Sequence, residues 1–186
     1  MLTYGPMCIV AIVLAVAGGW KIARPAVAHA ALVRLRAPIG TAGVRVLGGG
    51  ELALGVAAAI VGGRALPTAV ALLYVAFAVV AWRLGRIGVG CGCFGTASST
   101  PPGRMHVVVD IVAAAIAGSA AASDAPSLRD ALDAAPAAGV PHALLIATGT
   151  LALLGLLTVL PEARSIATSA PQAPQPVLFR PTRRSR

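Results

Sequence analysis

Five long apolar runs, separated by short polar or basic connections, leave this chain few ways to fold. The first runs from Pro6 to Trp20. The others are Val44 to Val61, Ala65 to Trp82, Met105 to Ala122 and Val140 to Leu160. A helix needs about 18–20 apolar residues to cross a bilayer core, and the runs approach or meet that length. Charged residues make up only 11% of the chain, against 58% hydrophobic. A soluble domain carries about 25% charge, so there is too little here to cover a water-facing surface. The expected fold class is all-α, a polytopic membrane helix bundle of five spans, the fifth C-terminal.

The ends of the runs carry the polar residues. Lys21 and Arg24 close the first run. Ala26-Val27-Ala28 has the small-residue look of a signal-peptide cleavage site, but no positive charge precedes the oily core, as such a leader requires. The first run therefore reads as a retained span. Arg24 to Arg45 is a basic connection, either a short helix lying along the headgroups or a solvated loop. Gly48-Gly49-Gly50 lies in the first half of the second run and Glu51 follows. A membrane carboxylate such as Glu51 or Asp110 is a functional candidate by default, although an ion pair or helix-to-helix hydrogen bond with Lys21 or Arg104 would also account for it. Tyr74 and Phe77 share a face of the third run and read as packing. Arg104, His106 and Asp110 stand in the first turns of the fourth.

The expected organisation is a four-span core over 1–122, a polar connection over 123–139, a fifth span over 140–160 and a tail over 161–186. Within the connection, Ser127-Leu128-Arg129-Asp130 has the shape of a capping box and predicts one short surface helix. Pro161-Glu162 is expected to end the fifth span. The Pro- and Arg-rich tail is disordered by composition.

Five spans alternate in direction. The end of the first, the start of the second, the end of the third and the start of the fourth therefore share one membrane side. Lys21, Glu51, Arg104, His106 and Asp110 fall in that half of the bilayer, together with the loop Gly90-Cys91-Gly92-Cys93-Phe94-Gly95. Cys8 lies toward the opposite face and reads as a small buried hydrophobe. The net charge of +9 comes from basic residues gathered largely on the loop side. That distribution speaks for membrane orientation and anionic headgroups rather than nucleic acid. The positive-inside rule then puts the N-terminus outside and the cysteine loop in the cytoplasm, with the inner or plasma membrane as the setting.

Cys91 and Cys93 are one residue apart, and glycine between them eases closure into a small, strained disulfide ring. Strained disulfides have higher potentials and suit electron passage better than structural support. Arg86, Arg104 or His106 would favour the thiolate. A metal site would need a fourth ligand beyond Cys91, Cys93 and His106, so no metal is expected. A glycine-rich turn with its cysteines packed on Phe94 is the non-chemical alternative. Functionally, three readings stand side by side. They are a thiol–disulfide exchange protein whose electrons go to a quinone or a partner thiol protein, a membrane subunit that docks a partner, and a small-solute or proton carrier using Glu51 and Asp110.

Cys91-Gly92-Cys93-Phe94-Gly95 resembles the signature of the methylamine utilisation protein MauE family, itself similar to DoxX-like membrane proteins. Gly18-Gly19-Trp20-Lys21 resembles the end of that family's first span, and Glu51-Leu52-Ala53-Leu54-Gly55 its Glu-bearing second span. The resemblance covers roughly residues 6 to 122. It implies a four-helix core, a redox pair at Cys91 and Cys93, and a role in maturing an exported redox protein such as methylamine dehydrogenase. Where family members carry a basic residue before the position of Asp110, this chain has Val109. Maturation outside the cytoplasm and a cytoplasmic cysteine loop point in opposite directions.

Overall fold

A computed structural model describes residues 4–88, 104–124, 126–134 and 139–168. The described elements are helices: α1 Tyr4–Ala23, α2 Pro25–Arg34, α3 Thr41–Ile60, α4 Ala65–Arg86, α5 Arg104–Ala122, α6 Leu128–Ala134 and α7 Gly139–Thr168. Five of them, α1, α3, α4, α5 and α7, are long and apolar enough to cross a membrane. Their outer faces carry large apolar side chains such as Val46, Leu72, Leu145 and Leu151. Lipid is the solvent that such a surface suits, and the chain is a multi-pass membrane protein of the all-α class.

α1 is the central helix. It buries residues around much of its circumference and packs against α2, α3, α5 and α7. α4 packs mainly on α5. The core gathers Met7, Val10, Ala11 and Leu14 of α1 with Val70 and Tyr74 of α4 and Ala113, Ala117 and Ala120 of α5. The alanines recur at three- and four-residue spacing, so one face of α5 is small enough to lie close to its neighbours.

The α1–α3 contact is closer still. The buried face of α3 is Val44, Gly48, Glu51, Gly55 and Ala58, a stripe of small residues interrupted by one carboxylate. A Cβ at Gly55 would come within 2.5 Å of the Ala11 carbonyl oxygen, and one at Gly48 within 2.7 Å of the Gly18 carbonyl oxygen. Residues 11 to 22 of α1 meet residues 55 to 48 of α3 in reverse order, so the two helices run antiparallel. Helix association within lipid rests on such backbone approach because apolar burial alone supplies little drive there. Gly49 and Gly50 have no neighbour within 4 Å of the corresponding position, so only the first glycine of the triplet is a packing residue.

Several boundaries differ from those read in the sequence. α3 starts at Thr41, three residues before the apolar run, and Glu51 stands at the middle of the helix. The basic connection contains a real helix, α2, opened by Pro25 at its first turn and packed on α3. α7 continues through Pro161 to Thr168. A proline forfeits its own amide bond, a loss that membrane helices can absorb. The expected surface helix is α6. Its box is closed: the Asp130 amide donates to Ser127 Oγ at 3.1 Å, and the Ser127 amide donates to Asp130 Oδ2 at 3.0 Å. Hydrogen bonds from the Ser127 hydroxyl and amide hold the Asp130 carboxyl below its usual range.

Candidate functional site

Among the described residues the interior of the bundle holds one buried ion pair. Lys21 Nζ lies 2.5 Å from Glu51 Oε2. Glu51 is 1% exposed and Lys21 6%, so both charges are out of reach of bulk water. Lys21 is near the C-terminal end of α1 and Glu51 is at mid-helix in α3. They meet because helical side chains lean toward the N-terminus of their own helix. The lysine stem thus runs back from the membrane surface toward the bilayer centre. Gly48 clears its path, since a Cβ there would stand 2.9 Å from Lys21 Cβ. Glu51 Oε1 has no hydrogen-bond partner among the described residues.

α4 supplies the second support. The Lys21 ammonium sits 4.9 Å from the centre of the Phe77 ring, where a desolvated cation is attracted to the ring face. Phe77 is held edge-on by Tyr74, with ring centres 5.8 Å apart. The Tyr74 hydroxyl donates to the Val10 carbonyl oxygen at 2.8 Å. These two aromatics read as plain packing in the sequence. A tyrosine in an otherwise aliphatic span is the signal that could have singled them out, because its hydroxyl must find a partner.

A cavity of about 30 Å³ adjoins the pair. Lys21 borders it from α1, Tyr74 and Phe77 from α4, His106, Val109 and Asp110 from α5, and Leu153 and Leu157 from α7. His106 and Asp110 are half-buried. They lie four residues apart and so face the same way. The fifth span thereby closes the side that the other helices leave open. It is anchored on α1, with Gly149 against Ile9 and His142 stacked on Tyr4 at 6.2 Å.

Of the residues that the sequence singled out, the structure gathers Lys21, Glu51, His106 and Asp110 around this one locus. Arg104 is exposed at the start of α5 and does not border the cavity. Cys91 and Cys93 lie in the segment 89–103, outside the described residues. Cys8 is buried toward the other end of α1, 3.8 Å from the Ala59 carbonyl oxygen. At the end of the bundle that holds the C-terminus of α1, Trp20 pairs with Arg24 and Trp82 with Arg86, each guanidinium 5.1 Å from its ring. Such residues mark a membrane–water boundary.

A bundle of apolar helices around a desolvated lysine–glutamate pair, beside a small, mostly apolar cavity bordered by His106 and Asp110, defines an integral membrane protein with an ionisable cluster in its interior. The family model of the methylamine utilisation protein MauE matches residues 1–123, and the chain belongs to that family. No curated protein and no solved structure matches the chain. The family region ends at α5, so α7 is an addition to it.

Proposed function

We propose that this MauE-family membrane protein performs thiol–disulfide exchange or electron transfer in the maturation of a partner redox protein, with Cys91 and Cys93 as the redox pair. In the oxidising direction the two thiols join in an S–S bond. The two electrons and two protons they release reduce an acceptor, either a partner's disulfide to a dithiol or a membrane quinone to a quinol. Arg104 and His106 favour the thiolate that attacks. By family, methylamine metabolism is the process served. The excess of Lys and Arg on the loop side favours the inner or plasma membrane with the N-terminus outside and Cys91 and Cys93 cytoplasmic.

One observation carries this reading. The segment with the thiol pair joins α4 to α5, and the first turns of α5 hold His106 and Asp110 beside the buried Lys21–Glu51 pair. A polar, proton-exchanging group therefore stands close in sequence to the two sulfurs within an otherwise oily molecule. Alkylation of the purified protein before and after reduction, read by mass spectrometry, tests the proposal. Cys91 and Cys93 should take up label only after reduction or in a reduced resting state that oxidant then blocks. Cys8, buried in both states, serves as the internal control. Identical labelling of Cys91 and Cys93 under oxidant and reductant would remove the redox role.

A further inference from the structure

We propose that the cavity between α1, α4, α5 and α7 is a proton-binding site, in which Asp110 gains and loses the proton while Lys21 and Glu51 remain paired as fixed charges. The inference goes beyond the thiol chemistry and does not depend on it.

The argument starts from the charges that face the cavity and its ion pair. α1 contributes Lys21, α3 contributes Glu51, α5 contributes His106 and Asp110, and α4 contributes the Tyr74 hydroxyl. α7 contributes only the apolar Leu153 and Leu157. One ammonium thus serves two carboxyl groups. Its nearest partner is Glu51 Oε2 at 2.5 Å, and the Phe77 ring draws it from a second side. A further negative charge in such surroundings is costly unless it is paired or neutralised. Taking up a proton neutralises it without moving a helix.

Asp110 is the group able to exchange that proton. The Glu51 side chain is wholly buried and bonded to the ammonium. Asp110 is half-buried and borders open space. The cavity is large enough for a water, and Lys21, Asp110 and His106 supply the polar partners that a buried water requires. His106 stands one turn nearer the start of α5, so it leads from Asp110 toward the membrane surface. Tyr74 takes no part because its hydroxyl is committed to the Val10 carbonyl.

Infrared difference spectroscopy on the full chain in lipid nanodiscs, titrated with pH, reads the site directly. Exposed carboxyls such as Asp124, Asp130 and Asp133 give carbonyl bands of their own at low pH, and the cavity should add a separate protonated-acid band that vanishes as pH rises. Asp110→Asn should abolish that separate band. Asp110→Glu should keep a titrating band at a shifted frequency, which a misfolded variant would not give. The Cys91→Ser, Cys93→Ser double variant should retain the native band, so a failure of the redox reading leaves this result standing. A native spectrum whose titrating bands all survive Asp110→Asn, or none of which moves in Asp110→Glu, would overturn the proposal.

Discussion

At the scale of single residues, the molecule turns on the cost of holding Lys21 and Glu51 in lipid. Breaking a buried pair by removing one partner strands the other charge, at about 3–5 kcal/mol. Replacing both by apolar side chains strands nothing. Glu51→Leu and Lys21→Met alone should therefore each lower stability by an amount in that range, while the double variant recovers most of the loss. Thermal unfolding in detergent of the two single variants and the double variant checks this. Additive losses would mean that the two side chains act independently, against the 2.5 Å contact. The sequence made both residues conspicuous because ionisable groups are rare in membrane helices. It also offered Arg104 as a partner for the acids. The lysine wins the contact with Glu51 because its stem points inward along α1, whereas Arg104 sits exposed at the surface end of α5. That choice depends on helix direction and register, which no single segment records.

At the scale of elements, the pair exists only because α1 and α3 approach to backbone contact. Gly48 serves twice, admitting the Gly18 carbonyl and the stem of Lys21. Gly48→Ala should force the helices apart and cost on the order of 1–3 kcal/mol, as overpacking commonly does. Gly49→Ala and Gly50→Ala meet open space and should be neutral or stabilise by about 0.5–1 kcal/mol through helix propensity. A comparison of melting temperatures separates the three, and equal effects would contradict the packing described. In the sequence the three glycines are indistinguishable. Their phase on the helix separates them: Gly48 shares a face with Glu51 and Gly55, and its two neighbours do not. Elsewhere local chemistry was enough. Ser127 and Asp130 announced α6 because a capping box is satisfied within four residues of chain. At Pro161 the helix runs on to Thr168, beyond the apolar window that closes at Thr158.

At the scale of the whole molecule, the fifth span is the feature that distinguishes this chain from the family region at residues 1–123. Leu153 and Leu157 seal the cavity, and α1, α4 and α5 supply everything polar in its lining. We propose that the four-span part folds by itself and that α7 is a cover. Deleting residues 139–186 should preserve the bundle but admit reagents from the lipid side. A cysteine introduced by Val109→Cys, in a chain lacking Cys91 and Cys93, should then react severalfold faster with a membrane-permeant maleimide. Equal rates with and without the fifth span would show that α7 does not seal the cavity. Composition and run length determined by themselves that the chain is a helical bundle in lipid, since an oily segment of that length has no other stable solvent. Span parity placed Lys21, Glu51, His106 and Asp110 in one half of the membrane. Which of them touch, which glycine makes room, and that a helix beyond residues 1–123 closes the site were decided only when the helices packed. Contacts between spans depend on rotation and depth, and those are properties of neighbouring surfaces rather than of any one stretch of sequence.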